Sequence, residues 1–373
     1  MERIQTPLII KDLTKKMVFL AGPRQAGKTF IAKRIMEEFK RPVYLNYDNI
    51  PHKKIISDQT WLDTTDLLVL DELHKMPDWK NYLKGVYDTK PPHMHILVTG
   101  SARLDIFDKI GDSLAGRYYL HRLLPLSPSE LHQLNKSVNL DDLIIKGGFP
   151  EPYLSDNIVD ANRWRMQYTN SILATDIFEF DKVQNVKAIH TIFELLRVRV
   201  GSPVSYQSLA EDVAVSINTV KKYIEILEAL YIIFRVTPYS KNIARSLLKE
   251  PKIYFYDTGQ VKGDEGAKLE NLAAVCLLKH VFAKVDYEAE NYALHYLRTK
   301  DGQEVDFALV KDDQIKQIIE IKNANDDIDK SLQAFHKKYQ LPAVQIVKKL
   351  RHERRIENIE LRKAENFLMD LYL

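Results

Sequence analysis

The sequence predicts an α/β protein: a parallel sheet built from strand–helix units, a run of helices, and a second, smaller α/β domain. Three observations carry this. From Met17 to about Ser127, short apolar runs alternate with helical stretches, the pattern of βαβ units. A glycine-framed loop, Gly22 to Thr29, joins one of those runs to a helix. From Lys252 to about Val347 the patterns follow the order strand, helix, three strands, helix, strand. The 373 residues suit two or three domains. With 54 Lys and Arg against 51 Asp and Glu, the formal charge is +3, so any basic surface must be local. A hydrophobic content of 45% excludes a disordered or collagen-like chain. Cys276 is the single cysteine, which excludes an intrachain disulfide and suits a reducing compartment. No secretory apolar region opens the chain, and no apolar run approaches the roughly 20 residues of a membrane span. The expectation is a cytoplasmic protein without a membrane partner.

The expected strands of the first region are Met17–Ala21, Val43–Asn46, Leu67–Asp71, Ile96–Gly100 and Tyr118–Leu123. After the first comes Gly22-Pro23-Arg24-Gln25-Ala26-Gly27-Lys28-Thr29, then a helix from Phe30 to about Phe39. This is the Walker A spacing in its required strand–loop–helix context. Glycines let the backbone aim several N–H groups inward, and these groups and the helix N-terminus cradle phosphate. All eight residues are assigned to ATP. Lys28 reaches the β- and γ-phosphates, and Thr29 offers a hydroxyl to Mg²⁺. The apolar run Leu67-Leu68-Val69-Leu70 ends in Asp71-Glu72, a Walker B pattern. Asp71 is assigned to Mg²⁺, and Glu72 to orienting the attacking water. His74 and Trp79 read as packing around that site.

Ser101 ends the next strand and is a candidate sensor of the γ-phosphate. In Leu114-Ala115-Gly116-Arg117 the arginine is either a finger reaching a neighbouring subunit's nucleotide or one half of a surface ion pair. Arg103 is a weaker candidate for the finger. These motifs, with Thr99-Gly100-Ser101 and Pro125-Leu126-Ser127, resemble a family of bacterial and archaeal predicted AAA+ ATPases. Gly147-Gly148-Phe149-Pro150-Glu151 and Lys252-Ile253-Tyr254-Phe255-Tyr256-Asp257-Thr258-Gly259 resemble its later landmarks. The resemblance implies an AAA+-type ATPase core, a winged helix and a C-terminal domain of unassigned function. It leaves a second sensor arginine unplaced, with Arg163 and Arg165 available.

Ser205 to Val213 reads as a short helix, Ala214-Val215-Ser216 as a turn, and Asn218 to Tyr231 as a second helix with Val220, Ile224, Leu227 and Leu230 on one face. Ile232–Val236 and Lys252–Tyr256 can pair as a wing, completing a winged helix. Ser216, Asn218, Thr219, Lys221 and Lys222 at the front of the second helix suit phosphates and base edges. Lys241, Arg245 and Lys249 lie just after the first wing strand. The competing role for such a module is protein packing.

Beyond it lie a helix from Lys268 to about Val281, strands Tyr292–Thr299, Glu304–Val310 and Ile315–Lys322, a helix Ser331–Tyr339 and a strand Pro342–Val347. Lys300-Asp301-Gly302-Gln303 is a hairpin turn. A period of two puts Glu320 and Lys322 on one face, with Asp306 on the adjacent strand. An acid, a gap and Glu-x-Lys across a β-meander resembles the PD-(D/E)XK nuclease fold, although Val305 stands where that pattern often has Pro. The resemblance implies Mg²⁺ on Asp306 and Glu320, completed by Glu270, with Lys322 activating water. The alternative is a scaffold with residual carboxylates. The tail from Lys348 to Leu373 is charge-rich and expected to be helical.

The expected domains are an AAA+-type P-loop core at 1–127, a helical lid at 128–190, a winged helix at 191–258 and a nuclease-like domain at 259–373. The expected function is a Mg²⁺-dependent ATPase that remodels or moves along DNA, branched DNA included, or gates a nuclease. It would work as a homo-oligomer, with a hexamer as one option. The rival is a STAND-type signalling switch whose C-terminal modules bind protein.

Overall fold

The alternating runs of the first region become five strands: β1 (Met17–Ala21), β2 (Pro42–Asn46), β3 (Leu67–Asp71), β4 (His95–Thr99) and β5 (Tyr118–Arg122). They form one sheet in the order β2-β3-β4-β1-β5. Every neighbouring pair is parallel. All residues of β1 and β3 are buried, which is why both read as unbroken apolar runs. Ile31 and Ile35 of helix Lys28–Met36 pack one face with Ile9 and Leu13 of helix Thr6–Leu13. Leu83 and Val86 of helix Trp79–Thr89 pack the other. The computed structural model describes residues 1–100, 114–174, 177, 185–240, 250–299, 301–324 and 327–373. These fall into two compact units, Met1–Leu124 with Ala229–Tyr231, and Pro125–Glu228 with Ile232–Leu373.

The second unit begins with helices, the longest of the early ones being Ile158–Ala174 and Val186–Arg197. Helices Tyr206–Val213 and Ile217–Ala229 come next, then the antiparallel hairpin of β6 (Ile233–Pro238) and β7 (Lys252–Phe255). After helix Glu265–Glu288 come β8 (Tyr292–Arg298), β9 (Glu304–Lys311), β10 (Gln314–Lys322), helix Lys330–Tyr339 and β11 (Ala343–Val347). Two further strands, β12 (Arg354–Ile356) and β13 (Ile359–Lys363), complete an eight-stranded sheet in the order β12-β13-β11-β10-β9-β8-β6-β7.

The expected helical tail is corrected here. Glu357 and Asn358 both have positive φ, 48° and 65°, the geometry of a two-residue hairpin turn. Ile359 and Leu361 alternate into the core, and β13 pairs in parallel with β11. Helix is confined to Ala364–Met369. The hairpin after the helix pair is also continuous with the C-terminal sheet. β6 bonds to β7 on one side and to β8 on the other, so one sheet runs across position 258. Among the described residues no helix is long and apolar enough to cross a membrane.

Candidate nucleotide site and the carboxylate cluster

The loop after β1 has the backbone its glycines require. A Cβ at Gly22 (φ +143°) would lie 2.2 Å from the Leu123 carbonyl oxygen, and Gly27 (φ +99°) turns the chain directly into the helix. The helix therefore starts at Lys28, two residues before the expected Phe30, and ends at Met36. The Lys28 ammonium donates to the carbonyls of Gly22 at 2.9 Å and Pro23 at 2.7 Å. Arg3, silent in the sequence, is buried and donates to the carbonyls of Ala26 at 2.7 Å and Leu124 at 2.6 Å, pinning both ends of this region.

Asp71 and Thr99 are register partners at the carboxyl ends of β3 and β4, and Asn46 is the partner of Asp71 on β2. This is where ligands bind in open parallel sheets. The Thr29 hydroxyl lies 3.3 Å from Asp71 Oδ2, and Asn46 Nδ2 also lies 3.3 Å from that oxygen. Tyr44 and Thr99 hydroxyls donate to the same carboxylate. Burial and the bond to Asp71 push the Tyr44 hydroxyl up to about 12, so it remains a donor. Asp71 is thus surrounded by neutral donors, and Thr29 and Asp71 could together hold Mg²⁺.

Glu72 adopts a left-handed backbone (φ 56°), and its N–H donates to the Thr99 carbonyl at 3.0 Å. His74 Nε2 and Lys75 Nζ approach its carboxylate at 3.6 and 3.8 Å. Burial raises its proton affinity, with Lys28 opposing and Asp71 adding to the rise. A carboxylate so tuned can accept a proton from water more readily than an ordinary one. Ser101 and Arg103 lie outside the described residues.

Arg117 forms a forked pair with Asp88, Nε to Oδ1 at 2.9 Å and Nη2 to Oδ2 at 3.1 Å. It precedes β5, whose Tyr118 pairs with Met17 at the start of β1. The phosphate-binding loop leaves from the far end of β1. At about 3.3 Å per residue, the separation is roughly 16 Å, beyond the reach of its own side chain.

In the second unit the turn between Tyr206–Val213 and Ile217–Ala229 passes through Ala214 in a left-handed conformation (φ 54°). The Ser216 hydroxyl accepts from the Thr219 N–H at 3.1 Å, capping the second helix. Asn218 and Lys221 are exposed, Thr219 and Lys222 half-buried, while Val220, Ile224 and Leu227 face the core. Lys241, Arg245 and Lys249 lie outside the described residues.

Arg165 sits in a buried ion pair. Its Nε donates to Asp257 Oδ2 at 2.7 Å, and both side chains are buried. A second nitrogen donates to the Lys146 carbonyl at 2.9 Å. A Cβ on Gly259 would fall 1.8 Å from that guanidinium, and one on Gly147 2.0 Å from Asp257 Oδ1. The two glycine landmarks are thus the two sides of one buried ion pair. Arg163 is exposed beside Asp160.

Asp306 and Glu320 meet across the antiparallel register of β9 and β10. The Asp306 N–H donates to Glu320 Oε2 at 3.3 Å, and Asp306 Oδ2 accepts from the Ile321 N–H at 3.0 Å. Lys322 bonds Glu320 at 2.7 Å and Asp329 at 3.0 Å. Of the expected Mg²⁺ set of Asp306, Glu320 and Glu270, two members share an ammonium. Lys252, the first residue of β7, brings its ammonium to 3.2 Å from Glu270, 2.9 Å from Glu304 and 3.1 Å from Asp306. Among the described residues no three His, Cys, Asp or Glu side chains converge as metal ligands would. Tyr254 donates to Glu270 at 2.6 Å. Burial alone would lower the proton affinity of Lys252, but Asp306, Glu270 and Glu304 raise it well above the ordinary value, keeping it a cation. Sequence reasoning missed Lys252, Tyr254 and Glu304. The signal was a lysine opening an otherwise apolar strand.

Residues 14–132 match the family described as an AAA domain. The five-stranded parallel sheet with its phosphate-binding loop agrees. This part of the chain is similar to AAA domains. Residues 137–262 and 265–368 match two families described as domains of unknown function (DUF8612 and DUF4143). An uncharacterised protein of Mycobacterium tuberculosis is 26% identical over 244 residues, covering 65% of this chain and 54% of that protein. The chain thus spans about half the length of this relative. An uncharacterised protein of Haemophilus influenzae is 23% identical over 409 residues, covering 98% and 97% of the two. A Walker-type ATPase of Pyrococcus abyssi aligns in structure over 69% of this chain and 93% of its own, at 12% identity and a TM-score of 0.44.

Proposed function

We propose that the AAA domain hydrolyses ATP with Mg²⁺ held by Thr29 and Asp71 and with Glu72 positioning the water, and that the second unit couples hydrolysis to DNA. The carrying observation is the carboxylate of Asp71, which meets the Thr29 hydroxyl and is otherwise bonded to neutral donors. When bound, Mg²⁺ supplies charge neutralisation at the β- and γ-phosphates. Lys28 neutralises the γ-phosphate, the loop from Gly22 to Thr29 binds it through N–H groups, and Glu72 accepts the proton of the attacking water. Arg117 acts from one subunit on the nucleotide of the next, which makes the active form a homo-oligomer.

The exposed Asn218 and Lys221, with Thr219 and Lys222 beside them, support DNA contact by a winged helix formed by the two helices and the β6–β7 hairpin. Between remodelling of DNA and gating of a nuclease, the first is favoured, because an ammonium already neutralises the nuclease-like carboxylates. The test is the ATPase rate with no DNA, single strands, duplex and four-way junctions. Stimulation by DNA, weakened and with a flatter salt dependence in Lys221→Glu/Lys222→Glu, is expected. A rate indifferent to every DNA would move the protein to the class of signalling switches that bind protein.

A further inference from the structure

The carboxylates of Glu270 and Asp306 sit where a PD-(D/E)XK-like site would hold its metal, so their fit to one can be tested on the donors around them. They do not fit. Lys252 Nζ has carboxylate oxygens of three residues at 2.9–3.2 Å, ordinary distances for an ammonium donating hydrogen bonds. Mg²⁺ demands oxygens at about 2.1 Å in near-octahedral order. The remaining oxygens are engaged. Asp306 Oδ2 takes the Ile321 N–H, Glu320 Oε1 takes Lys322, and Glu320 Oε2 takes the Asp306 N–H. On Glu270, Tyr254 bonds the same Oε1 that faces Lys252. Gly201 packs against the other oxygen so closely that a Cβ there would come within 2.6 Å of it. The Lys252 side chain is 1% exposed, so water does not screen its charge from an entering cation.

We propose that Lys252 is the resident cation of this cluster and that it excludes divalent metal from it. The domain is then a nuclease-like scaffold in which an ammonium does the neutralising. Lys252 is a positioning residue: it ties β7, the second strand of the hairpin after the helix pair, to β9 and to helix Glu265–Glu288. The inference does not depend on the ATPase reading, because Lys28 and Asp71 lie in the other unit.

The experiment is a Mn²⁺ titration of the full-length, nucleotide-free protein, tracking the free-ion signal by electron paramagnetic resonance. Wild type, Asp306→Asn, Lys252→Met and Lys252→Met/Asp306→Asn are compared. Wild type and Asp306→Asn should bind Mn²⁺ identically. Lys252→Met, which keeps the apolar stem and removes the charge, should gain one Mn²⁺ per chain, and the double variant should lose it. A Mn²⁺ bound by wild type and lost in Asp306→Asn overturns the proposal, and this arm decides even if Lys252→Met does not fold. A Lys252→Met protein with native circular dichroism and no gained Mn²⁺ overturns it equally.

Discussion

Each unit brings lysine and carboxylates together, and the two arrangements are opposite in kind. In the first unit Lys28 bonds backbone carbonyls, while Asp71 is bonded by hydroxyls and an amide. Neutral donors orient a carboxylate without cancelling its charge. In the second unit Lys252 and Lys322 bond the carboxylates themselves. Arg165 with Asp257, and Lys279 with Glu130, repeat that closure in buried pairs. A buried charge whose partner is a fixed charge serves the fold, because removing either leaves the other unpaired in a medium that solvates it poorly.

The contrast breaks most directly at Lys28. Lys28→Ala should lower ATP turnover by roughly 10²–10³-fold or more, as loss of a fixed donor at developing charge does, and leave the unfolding midpoint nearly unchanged. A steady-state ATPase assay beside a thermal melt checks both. Glu72→Gln should bind ATP at near wild-type affinity and turn over on the order of 10²-fold more slowly. Because the Glu72 pKa is raised above 4.5, turnover should climb with pH through a limb above the ordinary carboxylate range. A Glu72→Gln protein with unchanged turnover would remove the assignment.

In the second unit the same kind of substitution should appear as lost stability. Arg165→Leu leaves Asp257 buried and unpaired, a cost of about 3–5 kcal/mol in chemical denaturation. It should leave the affinity of the first unit for ATP in place. A stable Arg165→Leu protein with impaired hydrolysis would instead return Arg165 to a sensor role.

The smallest effect is a pH slope. The His280 ring accepts the Tyr372 N–H at 3.0 Å, and burial, with Lys284 adding, lowers its pKa from 6.5 to about 4. The unfolded chain takes up the proton first. Its contribution is therefore complete above pH 6.5 and is lost as pH falls toward 4. His280→Asn should flatten the unfolding free energy of the second unit over that window, read by denaturant titration at several pH values.

Local patterns were readable wherever the chemistry lies along a short stretch of chain. The phosphate-binding loop and Asp71-Glu72 need only a strand, a turn and fixed spacing. The meeting of Asp306 with Glu320 arises from one hairpin and the period of two. The tail misled because the turn at Glu357-Asn358 lacks the glycine that usually marks a left-handed pair, so β12 and β13 read as a charged helix.

The sequence by itself determined the glycine-framed strand–loop–helix, the acidic end of β3 and the helix pair with its hairpin, since each is set by neighbours in the chain. Only the tertiary structure decided which donors surround each carboxylate. Tyr44, Asn46 and Thr99 reach Asp71 through the register of parallel strands joined by long crossovers. Lys252 reaches Asp306 from a strand 54 positions earlier in the chain. Charge neutralisation depends on separations of about 3 Å in space, and a linear pattern carries no record of them.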